Sequence, residues 1–149
     1  MIFAVSLSAA AIVFLDQLSK FLILKYLALN KSYCLVQGIF YITPTLNTGG
    51  GFGILPGKAV VFTIASIIAI IFIIYALVKH KVKGRIFTIA ISLVLSGALG
   101  NLIDRLRFGA VLDSLDFRVW PVFNIADSSI TIGVVLLAYL VLFKSKART

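Results

Sequence analysis

Five aspartates are the side chains most able to do chemistry in this 149-residue chain, which has no glutamate and one histidine. Two carboxylates at short range cannot both ionise, so one keeps a proton while the other is charged. Such a pair can activate water to attack a peptide carbonyl and then protonate the leaving amine, without a metal or covalent intermediate. Asp113 and Asp127 are the candidate pair, because residues 121–124 can fold the chain back between them.

Two other aspartates have a structural alternative. Asp16 lies four residues before Lys20, on one face of a predicted helix, and Asp104 is next to Arg105 at a predicted helix end. Structural ion pairs also perturb carboxylates, so a structural role and a role in the site have equal weight for both residues.

Other catalytic chemistries lack their residues. The single histidine and the lack of glutamate exclude H-E-x-x-H zinc hydrolysis, and Cys34 alone can form neither an internal disulfide nor a thiolate metal cage. A Ser-His pair would need His80, which lies among lysines, and neither a G-x-S-x-G motif nor a phosphate-binding loop occurs. Ser19 and Lys20 are adjacent and point to different helix faces. We therefore expect no metal and no cofactor.

The elements that carry these residues are apolar enough to lie in a membrane. Hydrophobic residues make up 61% of the chain, and the mean hydropathy is +1.13. Crossing a hydrocarbon core takes roughly 20 helical residues, and four segments qualify: about 2–27, 59–78, 86–103 and 124–143. The sequence predicts a single integral membrane domain, mainly α, with four transmembrane helices. We expect the first segment to be retained, because it lacks the basic flank of a signal peptide.

The connections between spans also carry patterns. Residues 30–55, between spans one and two, combine aromatic and β-branched residues with glycine and proline, which predicts a small extramembrane β element. A loop is predicted at about 105–123, on the same side. Span three carries small residues that allow a neighbouring helix to approach closely; they are Ser96, Gly97, Ala98 and Gly100.

Charge gives the orientation. Fourteen Lys and Arg against five acids leave a net charge of +9, but most basic residues cluster at the ends of apolar runs. This favours anionic membrane lipids over nucleic acid as the counter-charge. The basic loop 79–85 and the basic tail lie directly at helix ends, so we predict that both termini are cytoplasmic. All five aspartates then lie near the outer half of the bundle, and acids in or beside spans are functional by default.

Five ordered segments resemble the signature blocks of one family, bacterial lipoprotein signal peptidase, also called type II signal peptidase. They are Asp16-Gln17-Leu18-Ser19-Lys20, Asn47-Thr48-Gly49-Gly50-Gly51-Phe52, Gly97-Ala98-Leu99-Gly100-Asn101-Leu102-Ile103-Asp104-Arg105, Val111-Leu112-Asp113 and Phe123-Asn124-Ile125-Ala126-Asp127-Ser128. The blocks run from span one to span four, so the resemblance covers nearly the whole chain.

The resemblance implies an aspartyl intramembrane peptidase of the bacterial cell membrane. Such an enzyme removes the signal peptide of prolipoproteins just before a diacylglyceryl-modified cysteine, and its catalytic pair corresponds to Asp113 and Asp127. Its other site positions, expected to orient the pair and hold substrate, match Asp16, Lys20, Asn47, Gly49, Asn101, Asp104, Arg105 and Asn124. A site completed within one chain is expected to work as a monomer.

The glycine run departs from the family pattern. The family usually has N-x-G-A-A-F, and Gly50 and Gly51 stand here in place of the alanines. We expect a more flexible loop, with altered lid closure and with catalysis retained.

The second departure concerns the register of the catalytic aspartate. The usual Asp-Phe of the family is Asp113-Ser114 here, and Asp116 precedes a phenylalanine three residues later. The match of Gly109 and Val111 favours Asp113, so Asp116 is expected to be a loop carboxylate outside the pair.

Two other classes of protein compete with a peptidase. A small proton-coupled exporter would use Asp16 within span one to bind a proton or cation, but it leaves the outer asparagines and the Asp113 and Asp127 arrangement without a role. A structural membrane subunit without chemistry is supported only by the generic pattern of spans.

Overall fold

Four apolar helices make up most of the protein. The computed structural model describes residues 2–51, 54–79 and 84–144. In this part of the chain, four helices are long and apolar enough to cross a membrane, which confirms the predicted fold class. They are α1 (Ile2–Tyr26), α2 (Ala59–Lys79), α3 (Arg85–Phe108) and α4 (Ile125–Tyr139), and α4 continues as a π-helical turn (Leu140–Lys144). Part of the predicted cytoplasmic basic clusters, at 80–83 and 145–149, lies outside the described residues.

Helix α3 lies at the centre of the bundle. It contacts α1, α2 and α4, and half of its most apolar stretch is buried, against 11–17% in the other three spans. Its small residues do allow close approach, and the neighbour is α4: a Cβ atom at Gly97 would collide with Ala126 and Ile130. Helix α4 also has a glycine at this contact: at Gly133, a Cβ atom would lie 2.7 Å from the carbonyl oxygen of Ala90 on α3. The remaining helix surfaces are apolar and exposed, as expected for contact with lipid.

A three-stranded antiparallel sheet joins the ends of the helices. Its order is β1 (Tyr33–Val36), β2 (Phe40–Asn47) and β3 (Val111–Asp116). Strands β1 and β2 lie within the predicted β element, whereas β3 pairs with β2 through Thr45 opposite Asp113. The prediction that 105–123 is a loop therefore needs correction. This segment contains the third strand, because the free edge of β2 supplies hydrogen-bond partners for its backbone.

Helix α3 ends five residues later than predicted. The apolar pattern predicts an end at 103, because Asp104 is the first charged residue after this run. In the structure the ammonium of Lys20 lies 2.8 Å from this carboxylate and compensates its charge. The helix continues to Phe108 and ends at Gly109, whose φ of 66° is left-handed and whose N–H donates to the carbonyl of Arg105.

Candidate active site

Asp113 lies in the middle of β3, with its carboxylate buried among amide groups. The side chain of Asn124 donates to Oδ1 at 2.7 Å, and the side chain of Asn47 donates to Oδ2 at 3.0 Å. Asn47 ends β2, and Asn124 precedes α4. The strand pairing and the helix start thus hold one carboxylate from two sides.

Asp127 lies in the first turn of α4. Asn124 is the N-cap of this helix and its side-chain oxygen accepts the backbone N–H of Asp127 at 2.8 Å. The side chain of Asn101, from α3, donates to Asp127 Oδ1 at 2.7 Å. The helix start and the neighbouring helix thus hold the second carboxylate from two sides.

The two aspartates are joined through the two asparagines. Asn124 donates to the side-chain oxygen of Asn101 at 3.1 Å, which completes the chain Asp113, Asn124, Asn101, Asp127. Both carboxylates line one cavity of about 880 Å³. The structure therefore brings the predicted pair to one cavity, and two of the predicted supporting residues connect its members.

Burial and, to a smaller extent, the negative charge of Asp127 raise the pKa of Asp113 to about 7. These two effects together exceed the opposing effect of the hydrogen bonds from Asn47 and Asn124. A carboxyl group with this pKa exchanges its proton near neutral pH, as a general acid or base must.

A buried ion triad lies behind the pair. The ammonium of Lys20 lies 2.9 Å from Asp16 Oδ2 and 2.8 Å from Asp104 Oδ2, and all three side chains are buried. The predicted Asp16–Lys20 pair is confirmed. The pairing of Asp104 with Arg105 is wrong: Arg105 follows Asp104 directly on α3 and points to another face of the helix.

The two carboxylates of the triad also accept hydrogen bonds from backbone N–H groups. Asp16 Oδ1 accepts the N–H of Ala126 at 3.0 Å, and Asp104 Oδ2 accepts the N–H of Leu112 at 3.1 Å. These N–H groups belong to the residues immediately before Asp127 and Asp113. The triad therefore fixes the backbone on which each member of the pair is carried.

Gln17 is a member of this cluster that sequence reasoning did not select. Its amide donates to Asp104 Oδ1 at 2.9 Å and to the carbonyl of Gly100 at 3.2 Å, and it lies 3.2 Å from Asp16 Oδ2. Gln17 is uncharged and does not match a site position of the family. Its place beside Asp16 in the first signature block was the signal that could have identified it.

Arg105 reaches the same cavity from α3. Its guanidinium donates to Ser66 Oγ and to the carbonyl of Gly49, both at 3.4 Å. The buried Nε has no hydrogen-bond partner among the described residues. Long bonds to neutral oxygens leave most of the charge available to a group in the cavity.

The glycine at position 49 is required by a close approach of two chain segments. A Cβ atom there would lie 2.6 Å from the carbonyl oxygen of Ile54, and the N–H of Gly49 donates to Asn47 Oδ1 at 2.9 Å. The turn keeps the Asn47 amide directed at Asp113.

Asp116 is held away from the pair. Thr43 Oγ1 donates to it at 2.7 Å, the backbone N–H of Arg118 donates at 2.9 Å, and the Arg118 guanidinium lies 3.6 Å away. Burial raises its pKa, but these hydrogen bonds and the positive charge outweigh burial and lower it. The carboxylate is therefore ionised and bound to the sheet.

The rest of the cavity wall is mainly apolar. It runs between α2, α3 and α4 away from the carboxylates, and its small and aliphatic residues include Ala65, Ala69, Val94, Ala98 and Ile130. Among the residues that the structure describes, no three His, Cys, Asp or Glu side chains converge as they would around a metal ion.

The four apolar spans define a multi-pass membrane protein, with a cavity lined by two carboxylates at one end of the helices. The sequence profile described as signal peptidase (SPase) II matches residues 8–143, so the chain belongs to the signal peptidase II family, a family of peptidases.

Known proteins agree with this assignment. A lipoprotein signal peptidase of Halothermothrix orenii is 43% identical over 126 residues, 85% of this chain and 86% of the relative. One of Caldanaerobacter subterraneus subsp. tengcongensis is 40% identical over 140 residues, 93% and 96% of the two chains. A bacterial membrane enzyme solved by the in meso method at 2.3 Å superposes with a TM-score of 0.93 at 36% identity, covering 100% of this chain and 93% of the other. This chain is thus a multi-pass bacterial membrane protein.

Proposed function

We propose that this protein is an aspartyl endopeptidase that removes signal peptides from diacylglyceryl-modified prolipoproteins, cleaving just before the lipidated cysteine. The observation that carries the proposal is that Asp113 and Asp127 line one cavity and are joined by the amides of Asn101 and Asn124. Relatives named lipoprotein signal peptidase supply the substrate class.

In the proposed reaction, the pair begins with one proton. The ionised carboxylate takes a proton from water, and the resulting hydroxide forms a C–O bond to the scissile carbonyl carbon. The protonated carboxyl group gives its proton to the leaving amine as the C–N bond breaks. One proton remains on the pair, so Asp113 and Asp127 are ready for another cycle.

The neighbouring donors have matching tasks. Arg105 lines the same cavity as the two carboxylates, and its guanidinium is available to the oxygen that becomes negative during attack. Asn101 and Asn124 hold the carboxylates at fixed positions, so little reorganisation is needed in the transition state. The apolar wall between α2 and α4 suits the hydrocarbon parts of a lipid-modified substrate.

The exporter alternative has less support. Asp16, its central residue, is paired with Lys20 and accepts the N–H of Ala126. A carboxylate with both oxygens engaged offers no free position to a transported cation, whereas Asp113 and Asp127 face a cavity.

The test uses purified protein in detergent with a diacylglyceryl-modified prolipoprotein, and mass spectrometry of both products. We expect cleavage just before the modified cysteine. Asp113→Asn and Asp127→Asn should each lower the rate by at least about a thousandfold, because each removes one half of the acid–base pair.

Asp116→Asn is the matched control, since it alters a carboxylate of the same strand that is bound to Thr43 and Arg118. It should keep most of the activity. Thermal unfolding separates lost chemistry from lost folding. Cleavage that persists in a correctly folded Asp113→Asn or Asp127→Asn variant contradicts the mechanism, and loss of activity in Asp116→Asn alone would move the assignment to that residue.

A further inference from the structure

We propose that Phe62 of α2 is a positioning residue for Arg105, and that the glycine at position 50 is the steric condition for this role. The inference rests on the proposed function, in which Arg105 serves the substrate. It assigns a task to the first turn of α2, which none of the motifs includes.

The guanidinium of Arg105 lies over the ring of Phe62, with its Cζ atom 5.7 Å from the ring centroid. This is within the range of a cation–π contact, which strengthens where water is excluded. Ser66, one helical turn after Phe62, accepts a long hydrogen bond from Nη1 at 3.4 Å. Two residues on one face of α2 thus contact the guanidinium.

No carboxylate holds Arg105 in an ion pair in the described part of the chain. Its other contact is the carbonyl of Gly49, also at 3.4 Å, and its buried Nε is without a partner among the described residues. Weak hydrogen bonds leave the position of a long side chain poorly defined, so the flat face of Phe62 becomes its main lateral support.

Gly50 makes room for this ring. A Cβ atom at position 50 would collide with Cε1 of Phe62 and would lie 2.5 Å from Cζ. Alanine at 50 therefore requires the ring to move, and the ring cannot move without losing its place under Arg105. Gly51 differs, because a Cβ atom there meets no described atom within 4 Å. Gly51 lines the cavity, but of the two adjacent glycines only Gly50 limits the position of the Phe62 ring.

The first test detects the contact between Arg105 and the Phe62 ring by NMR and does not depend on enzymatic activity. In protein with isotopically labelled arginine, the Nε–Hε signal of Arg105, assigned by its loss in Arg105→Lys, is shifted by the ring current of Phe62. We expect Phe62→Leu and Gly50→Ala to move this signal. Gly51→Ala should leave it in place, as should Phe72→Ala, which removes a phenylalanine of the same helix that is 68% exposed. An unmoved signal in Phe62→Leu or Gly50→Ala overturns the proposal.

The second test measures the kinetics of prolipoprotein cleavage. Phe62→Leu and Gly50→Ala should each raise KM for the lipid-modified prolipoprotein about tenfold, and Phe62→Tyr, which keeps the ring, should restore it. In an Arg105→Lys background, Phe62→Leu should have no further effect. Gly50→Ala should likewise add nothing to Phe62→Ala, because the colliding ring is gone. Additive effects in both pairs would show a purely structural role and contradict the proposal.

The two tests separate this inference from the proposed function. If the wild-type protein does not cleave the prolipoprotein, the proposed function fails, while the Arg105 signal still decides whether Phe62 and Gly50 position the guanidinium.

Discussion

Asp113 combines burial with hydrogen bonds that act in opposite directions on its proton. Burial and the charge of Asp127 favour the protonated form, whereas the amides of Asn47 and Asn124 favour the ionised form. Burial and the charge of Asp127 together outweigh the two amides, so the pKa of Asp113 rises to about 7. Asp116, three residues away in the same strand, is ionised because Thr43 and Arg118 surround it. Environment, and not residue type, separates the two carboxylates.

We expect Asp113→Asn to change how stability depends on pH. The folded-state pKa of about 7 lies above the ordinary value of 3.8, so the folded protein holds this proton more tightly than the unfolded chain. The wild type should lose stability as pH rises from about 4 to about 7, by on the order of 4 kcal/mol at most. An asparagine carries no such proton, so the variant should have a flatter profile.

The measurement is thermal unfolding in detergent at about pH 5 and about pH 8. Asp116→Asn is the control: its pKa is lowered, so its titration contributes stability that is lost only as pH falls below the ordinary range. That control should follow the wild-type profile in this window. Parallel profiles for wild type and Asp113→Asn would show that the raised pKa is wrong.

At the scale of elements, the close packing of α3 against α4 sets the position of Asp127. Asn101 on α3 reaches Asp127 on α4 because the helices approach within the reach of a short amide side chain. Gly97 allows this approach one turn before Asn101, where any Cβ atom would collide with the backbone oxygen of Ala126. Backbone atoms cannot move aside as a flexible side chain can.

We predict that Gly97→Ala separates α3 from α4 and destabilises the protein by about 1–3 kcal/mol, the usual cost of overpacking. Thermal unfolding in detergent measures the loss, and cleavage of the lipid-modified prolipoprotein should fall with it because Asn101 moves away from Asp127. Gly51→Ala, with no described atom within 4 Å of the new Cβ, should unfold like the wild type. Equal stability of the two variants would contradict the close packing.

At the scale of the whole molecule, the sheet and the site lie at the same end of the bundle. Strand β3 follows α3 directly and carries Asp113, while α4 begins at this end with Asp127 in its first turn. We propose that this end faces the outside of the cell and that both termini are cytoplasmic, because the basic residues Lys79 and Arg85 lie at the opposite ends of α2 and α3. One chain supplies all the proposed site residues, and we propose that it acts as a monomer.

The single cysteine offers a direct test of this orientation. Cys34 is exposed on β1, at the end that we assign to the outer face. In intact cells stripped of any outer membrane, a membrane-impermeant maleimide should label Cys34. A Lys79→Cys variant in a Cys34→Ser background should be labelled only after the membrane is opened, because Lys79 ends α2 at the other side. The reverse pattern would invert the proposed topology.

The sequence by itself determined the spans and the residues available for chemistry. Hydropathy is a local property, and a bilayer demands about 20 apolar residues per helix, so four spans could be read without knowing how they pack. Five aspartates in a chain without glutamate left few candidates, and the ion pair of Asp16 with Lys20 followed from helical spacing alone. These features depend on neighbours along the chain.

Only the tertiary structure decided which distant groups meet. Asp16 accepts an N–H from Ala126, 110 positions away, and Asn47 donates to Asp113, 66 positions away. Tertiary packing likewise decides the formation of strand β3, the pairing of Asp104 with Lys20 and the contacts of Gln17. A hydrogen bond needs two groups within about 3 Å in the right direction, and that depends on how helices and strands pack in three dimensions.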